Sequence, residues 1–359
     1  MPKSFSILIP TYNEHDNIAP LLERIAGAIP GNDYEVVFVD DDSRDGTSEL
    51  INTLSSKYPA WVVVRKDKKG LASAVVDGFG MVSTDTVVVM DADLQHPPEV
   101  IPALIKAIRE GAEIAVASRY IPGGGTAGWS KTRKIISNGA IMLAHILLPQ
   151  SRKVKDPMSG FFAFKRKVIS GVTLAPIGYK ILLEMLVMGK ASKVTEVPFM
   201  FQLRETGKSK LDASQELEYL KHLFSLMRRS GELARFLKFC LVGGSGVIVN
   251  EGLLWLLTDR AGVYYLLSSA IAIESSIITN FILNHWFTFA DLKRKGVKSY
   301  LTRLGQFNLV SLIAVAINLG LLWLFKTEFG VHYLVANLIG IAVSMLWNFF
   351  ANNLWTWKR

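Results

Sequence analysis

Two carboxylates, Asp91 and Asp93, stand at the end of an apolar run, Thr86-Val87-Val88-Val89-Met90. The small Ala92 separates them, and Leu94-Gln95-His96 follows. A short run of β-branched residues reads as a buried strand. Acids at the C-terminal end of a strand in an α/β sheet lie on the side where ligands bind. This spacing suits a hard divalent cation, which takes one or two carboxylates together with phosphate oxygens. A lone D-x-D pair is equally a solvated strand-end turn, so its meaning depends on what else reaches the same face.

Three further constellations bear on that face. Pro10-Thr11-Tyr12-Asn13-Glu14 stands at the end of a first strand over Phe5 to Pro10. Val39-Asp40-Asp41-Asp42-Ser43-Arg44-Asp45-Gly46-Thr47 closes a second. Arg204-Glu205-Thr206-Gly207-Lys208-Ser209-Lys210 comes late in the same region. Acids at the ends of three strands can converge, and basic residues arriving later can complete a phosphate pocket. Tyr12 also reads as packing, and Asp40 and Asp42 as solvated turn residues.

The elements that position these residues alternate. Further strands are expected over Trp61 to Arg65, Glu113 to Ala117, Gly160 to Lys165 and Val194 to Leu203. Helices are expected over Ile18 to Ile29, Gly46 to Ser56, Gly70 to Val82, Glu99 to Glu110 and Lys180 to Met188. Such a βαβα series implies a largely parallel sheet with helices on both faces. Over Ala213 to Glu232 the pattern changes. Leu217, Leu220, Leu223, Phe224 and Met227 share helical spacing among Lys221, Arg228 and Arg229, which reads as a helix lying in a bilayer interface.

Four apolar stretches follow, about 236–257, 264–286, 304–325 and 333–355, each near the ~20 residues needed to span a bilayer. Asn250, Glu251 and Glu274 inside them are expected to face neighbouring helices. Residues 235–289 align with 303–357 at an offset of 68. Asn250-Glu251-Gly252-Leu253-Leu254-Trp255 matches Asn318-Leu319-Gly320-Leu321-Leu322-Trp323, and Asn284 and Thr288 match Asn352 and Thr356. Two-helix units that start on the same side make a parallel repeat. The central loop carries Lys293, Arg294, Lys295, Lys298 and Arg303, while each opposite loop balances one base with one acid. The positive-inside rule then puts both termini, the central loop and the first domain in the cytoplasm.

Composition agrees with partial membrane residence: half of the 359 residues are hydrophobic and the mean hydropathy is +0.28. The single cysteine, Cys240, excludes an intrachain disulfide. No signal peptide is expected, because Met1-Pro2-Lys3 runs directly into a short strand. The net charge of +9 concentrates near the membrane segments. No aromatic–basic pattern suggests nucleic acid, so no nucleic-acid partner is expected. The organisation expected is a catalytic domain over 1–211, an interface helix region over 212–233 and a four-helix membrane domain over 234–359.

Jointly, P-x-Y-N-E, D-D-x-S-x-D-G-T, D-A-D-x-Q-H-P-P and R-x-x-G-x-S-K closely resemble family 2 glycosyltransferases. Within that family they resemble the dolichol-phosphate mannose synthase branch with its bacterial polyprenyl-phosphate relatives. The last four helices resemble a GtrA-type membrane domain. The resemblance implies an A-type glycosyltransferase fold, α/β and Rossmann-like, followed by an all-α membrane domain. It implies that Pro10, Tyr12, Glu14, Val39 and Asp41 hold the nucleoside. Ala92 and Arg204 would also line the donor. Mg2+ or Mn2+ would sit on Asp93 and Gln95, with Asp91 at the metal or just behind it. Arg119, Arg133, Ser137, Arg204 and Lys210 would hold the acceptor phosphate or the donor diphosphate. The implied partners are a nucleotide sugar, GDP-mannose before UDP-glucose, a dolichyl or polyprenyl phosphate, and the bilayer.

The expected reaction is an inverting, single displacement. A phosphate monoester is already anionic near neutral pH, so the attack needs no protein base. Asp91 is the residue to watch if one is needed. A processive polysaccharide synthase would carry a Q-x-x-R-W segment, which is absent from the chain. A membrane domain that also flips the finished lipid is the alternative to a passive anchor.

Overall fold

The protein, seen here as a computed structural model, is described over residues 3–31, 33–67, 70–203, 213–292 and 296–358. The chain divides into two compact units, Met1–Leu226 and Met227–Arg359.

The first unit is built on a seven-stranded sheet of β1 (Phe5–Thr11), β2 (Tyr34–Asp40), β3 (Ala60–Val64), β4 (Thr86–Val89), β5 (Ile114–Ser118), β7 (Phe162–Lys165) and β8 (Val194–Pro198). Their order is β3-β2-β1-β4-β7-β5-β8. A small ladder pairs β6 (Gly125–Thr126) with β9 (Met200–Phe201). Side chains alternate across the sheet, as a period of two requires. Ile7, Ile9, Val36, Phe38 and Val88 face one core, and Leu8, Val37, Val39, Val87 and Val89 face the other. The first core takes the apolar stripes of α1 (His15–Ala28) and α4 (Ile101–Arg109); the second takes α3 (Leu71–Gly78) and α6 (Ile181–Met188). A sheet covered on both faces explains why β1 and β2 are buried at every residue. The helix α2 (Thr47–Leu54) follows β2.

Two features add to the expected, largely parallel sheet. β7 runs antiparallel between β4 and β5, whereas β1, β2, β3 and β4 pair in parallel, as do β5 and β8. Apolar alternation specifies the faces of a strand but not its direction. A helix also fills 131–147, α5 (Lys131–Leu147), where no element was expected. It buries only Ile141 and Ala144 among its residues, while Ile135, Ile136 and Met142 are exposed. Its apolar residues therefore form no core-facing stripe. The last helix to begin in the first unit, α7 (Ala213–Arg229), turns His222, Leu223 and Leu226 inward and leaves Leu217, Leu220 and Phe224 exposed.

The second unit consists of α8 (Glu232–Trp255), α9 (Tyr265–Leu283), α10 (Val297–Thr327) and α11 (Tyr333–Ala351). With their terminal turns, all four are long and apolar enough to cross a membrane. The repeat recurs in three dimensions. Ser276 Oγ donates to the Gly246 carbonyl at 2.7 Å, and its counterpart Ser344 donates to the Ala314 carbonyl at 2.8 Å. The matching segments Asn284–Thr288 and Asn352–Thr356 both form π turns. Glu274 reaches α10 and accepts from Asn308 at 2.6 Å, as expected of a polar residue in a spanning helix. Glu251 does not follow that expectation: it is exposed, and Asn250 beside it on the same helix donates to it. One period places Glu251 inside a span without saying which face it occupies.

Close approach of α10 and α11 depends on Gly340, where a Cβ would collide with the Asn318 side chain and come within 3.0 Å of its carbonyl. Gly340→Leu is expected to lower the melting midpoint of the full-length protein in detergent, since overpacking typically costs about 1–3 kcal/mol. An unchanged midpoint would show that the hairpin does not need this contact.

Candidate active site

The sheet order reverses between β1 and β4, because β2 and β3 lie on one side of β1 and β4 on the other. Such a switch point opens a crevice beyond the C-terminal strand ends. Register brings Pro10 beside Val39 and Thr11 beside Asp40, with Leu8 beside Val89. The three motifs at the ends of β1, β2 and β4 therefore meet at this crevice.

Much of the second motif holds the first in place. Asp40 is fully buried and accepts from Thr11 Oγ1 at 2.9 Å, Ser43 N at 2.8 Å, Ser43 Oγ at 2.6 Å and Ser48 Oγ at 3.1 Å. Ser43 Oγ accepts from the Asn13 amide at 2.8 Å, and Thr47 Oγ1 from the Glu14 amide at 3.1 Å. Asp45 accepts from the His15 amide at 3.1 Å and from Thr47 Oγ1 at 2.5 Å. Burial pushes the Asp45 carboxyl up, but the hydrogen bonds from Thr47 and His15 outweigh it and hold the group below its ordinary value. This network fixes Asn13 and Asp42 at φ 56° and 59°, a region that non-glycine residues seldom occupy. Tyr12 projects from it, 45% exposed. Glu14 lies at the start of α1 and accepts from Asn17 at 2.6 Å. Asp41 is nearly buried. Arg65 clasps one carboxylate oxygen, with Nε at 2.8 Å, and the Gly70 amide donates to the other at 2.6 Å. Any nucleoside contact to Asp41 is thus limited to its remaining lone pairs.

The Asp91–Gln95 segment is arranged around a histidine. The Asp91 amide donates to His96 Nδ1 at 3.0 Å, which leaves the proton of the ring on Nε2. Burial pulls His96 down to about 4, so the ring is neutral and its 3.6 Å approach to the Asp91 carboxylate is no ion pair. The ring stacks on Phe161 and meets Phe199 and Phe201 edge-on. Ala92 is buried, and Asp93 Oδ1 accepts from the Gln95 amide at 3.2 Å. Gln95 Nε2 donates to the Gln202 carbonyl at 3.1 Å, which directs its amide oxygen away from that anchor. Two carboxylates and an amide oxygen form a donor set that suits a hard cation. Among the described residues no group of three His, Cys, Asp or Glu side chains could cage one. A Mg2+ that retains water and phosphate oxygens needs no such cage.

A cationic wall lies within electrostatic reach of these acids. Arg119, just beyond β5, makes a bidentate pair with the fully buried Asp156, both bonds at 2.7 Å. Burial pulls the guanidinium down, and the bonds from Asp156 more than restore it, so it stays charged. Its Nε and Nη2 are spent on Asp156, which leaves the Nη1 edge. Its carbon lies over Trp129 at 5.3 Å, and Arg133 lies over the same ring at 4.3 Å. Ser137 is 2.8 Å from the Tyr120 hydroxyl. Lys180, just before α6, completes the group: burial and Arg119 pull its ammonium down to about 7, while Asp156 and Asp91 pull the other way. Arg204 and Lys210 lie outside the described residues.

Sequence reasoning had given no role to Arg65, His96, Trp129, Asp156, Gly160 or Lys180. Arg65 follows its strand as the acids follow theirs, so the strand-end signal reaches it. Gly160 packs closely beside Asp91: a Cβ there would come within 3.3 Å of Oδ2 and 3.2 Å of the His96 ring. Asp156 and Lys180 carried no local signal, because their partners are distant in sequence.

A family model described as Glycosyl transferase family 2 matches residues 6–172, and one described as GtrA/DPMS, transmembrane domain matches residues 238–357. The dolichol-phosphate mannosyltransferase of Pyrococcus furiosus is 49% identical over 352 residues, 98% of this chain and 99% of its own. That of Mycosarcoma maydis is 38% identical over 239 residues, 63% of this chain and 79% of its own. Among solved structures, glucosyl-3-phosphoglycerate synthase from Mycobacterium tuberculosis, crystallised with Mn2+, uridine diphosphate and glucosyl-3-phosphoglycerate, superposes with a TM-score of 0.50. It is 21% identical and covers 64% of this chain and 80% of that one. At that identity the likeness is one of fold.

A phosphate brought against Lys180 would favour its charged form and raise its pKa from about 7. Binding of a phosphate-bearing ligand at pH 8 is therefore expected to draw a proton from solution. Calorimetry in buffers of different ionisation enthalpy reads that uptake directly, and Lys180→Met should remove it. Equal uptake by the variant would place the titrating group elsewhere.

Proposed function

The chain belongs to the dolichol-phosphate mannosyltransferases of glycosyltransferase family 2, and we propose that it moves mannose from GDP-mannose onto the phosphate of a dolichyl or other polyprenyl phosphate. One observation carries this reading. The Asp91/Asp93 pair at the switch point shares its electrostatic surroundings with Arg119, Arg133 and Lys180, so one crevice offers both a metal-ready acidic edge and an anion-ready basic one.

In this reading Pro10, Tyr12, Glu14 and Val39 border the nucleoside, with Asp41 fixing the loop beneath it. Asp91, Asp93 and Gln95 would hold Mg2+ or Mn2+, which would supply charge neutralisation for the diphosphate. Arg133, Ser137, Lys180 and the Nη1 edge of Arg119 receive the acceptor phosphate. An oxygen of that phosphate attacks C1 of the sugar, the bond from C1 to the donor diphosphate breaks, and the nucleoside diphosphate leaves with the electron pair. No proton has to be removed from the nucleophile, since the second ionisation of a phosphate monoester lies near pH 6. The protein's task is to hold two anions in line and offset their repulsion. A single displacement inverts the anomeric carbon, so an α-linked donor gives a β-linked product.

Residues 1–211 catalyse, 212–233 lie at the interface and 234–359 span the bilayer in this proposal. The exposed Leu217, Leu220 and Phe224 of α7 suit the acyl boundary. The basic central loop argues for a cytoplasmic catalytic unit and cytoplasmic termini.

The test presents the full-length protein, in membranes, with GDP-mannose, UDP-glucose and related donors together with a polyprenyl phosphate. Mass and anomeric configuration of the lipid product then read both specificity and stereochemistry. β-Mannosyl phosphate lipid is expected, and it should vanish in Asp93→Ala, which lacks a carboxylate that would hold the cation. Product from UDP-glucose alone, or retention at the anomeric carbon, would overturn the reading; near wild-type turnover by Asp93→Ala with saturating metal would overturn the metal assignment.

A further inference from the structure

Two titratable side chains that the proposed transfer does not use, Glu184 on α6 and His222 on α7, are fully buried. Both are engaged by the same stretch of chain. Glu184 Oε1 accepts from the Ala175 amide at 2.6 Å, and His222 Nδ1 accepts from the Ile177 amide at 3.1 Å. Because Nδ1 accepts, the ring carries its hydrogen on Nε2, which lies 3.9 Å from the Glu184 carboxylate. The two side chains therefore stand together and hold alternate amides of one segment.

That segment has no regular structure to define its path. Residues 172–177 belong to no helix or strand, so the acceptors that its amides find decide where it runs. Gly178 follows at φ 75°, and a Cβ there would come within 3.2 Å of Glu218 Oε2 on α7. Lys180 then stands at the N-cap of α6. Its ammonium lies 4.1 Å from the centre of the Tyr179 ring, within electrostatic reach of Arg119, Asp156, Asp91 and Arg133. An apolar pair of the same volume would pack α6 against α7 as well as Glu184 and His222 do, often without loss of stability. It would leave the Ala175 and Ile177 amides without these acceptors.

We propose that His222, backed by Glu184, is a positioning residue for the transfer reaction: by holding the Ile177 amide it sets Lys180 against the acceptor phosphate. The inference rests on the reading of Lys180 as a phosphate ligand and adds the residue that acts through it. A lysine presented from a fixed segment loses less conformational entropy on meeting an oxyanion than one on a free loop.

The test compares His222→Asn with His222→Gln in the full-length protein in detergent. Asparagine places its carbonyl oxygen near the position of Nδ1 and can still accept from Ile177, whereas glutamine carries its oxygen further out. GDP-mannose and citronellyl phosphate, a short α-saturated analogue of dolichyl phosphate, are varied separately. The glutamine variant is expected to raise the KM for citronellyl phosphate about tenfold and that for GDP-mannose less than about twofold. The asparagine variant should stay near wild type for both. Adding His222→Gln to Lys180→Met should raise the acceptor KM no further, since residues that act as a unit are not additive. The rate at which acetic anhydride acetylates Lys180, read by peptide mass spectrometry, follows the lysine without turnover. It should change in the glutamine variant and not in the asparagine one. If the wild type transfers no mannose, the transfer reading falls and this rate alone decides the positioning. Melting midpoints check the fold; should the glutamine variant melt early, Glu184→Leu/His222→Leu repeats the comparison with the same expected shifts. Equal KM shifts for both substrates, an additive rise in the double variant, indistinguishable asparagine and glutamine variants, or unchanged acetylation in the glutamine variant would overturn the proposal.

Discussion

A carboxylate with no access to water has to be satisfied by the protein, and Asp40 meets that constraint at the centre of the catalytic unit. An unpaired buried charge would cost several kcal/mol. Asp40 instead gathers donors from β1, the following loop and α2. Those bonds join the end of β1 to the loop beyond β2. The loop in turn holds the Asn13, Glu14 and His15 amides through Ser43, Thr47 and Asp45. Tyr12, which projects from the end of β1, is thus aimed by a loop network centred on a carboxylate that is itself fully buried.

The same economy governs the cations. Arg119 is held by two bonds to Asp156 and by the face of Trp129, so one of its edges is spent on position and another is left for chemistry. Asp156 is oriented by its own amide, which donates to Glu196 on β8 at 3.1 Å. A guanidinium fixed this way loses little entropy when it meets an oxyanion. His96 works similarly on the acidic side. As a neutral ring in an aromatic box it accepts from the Asp91 backbone and adds no positive charge beside that carboxylate.

The strand-end acids were legible in the sequence because a buried strand and its terminal polar residues are adjacent along the chain. The spans and the repeat were legible for the same reason: twenty apolar residues and a fixed offset are local facts. The antiparallel β7 was not, since alternation is the same in either direction. Nor was α5, whose exposed Ile135 and Met142 obey no core-facing period. Lys180 and Asp156 escaped because their meaning arises only when β5, β8 and the segment before α6 come together. Asp41 was legible as a strand-end acid, but its bonds to Arg65 and Gly70 were not, because those partners lie 24 and 29 residues further along the chain.

The segment leading to Lys180 ties the crevice to α7. Glu184, buried on α6, accepts from the Ala175 amide at 2.6 Å, and His222 on α7 accepts through Nδ1 from the Ile177 amide at 3.1 Å. The proton of a neutral His222 then sits on Nε2, which lies 3.9 Å from the Glu184 carboxylate. Tyr219, one turn earlier, donates to the Ala140 carbonyl of α5 at 2.6 Å. Thus α7 holds both the stretch that presents Lys180 and the helix that carries Arg133 and Ser137. Its opposite face is the exposed Leu217, Leu220 and Phe224. In the proposed reading, a helix with one face exposed and apolar and the other bonded to the elements that carry Arg133, Ser137 and Lys180 would keep those groups at a fixed height above the bilayer. For an acceptor whose phosphate is tethered to a bilayer by its own hydrocarbon tail, that height is the coordinate that has to be right.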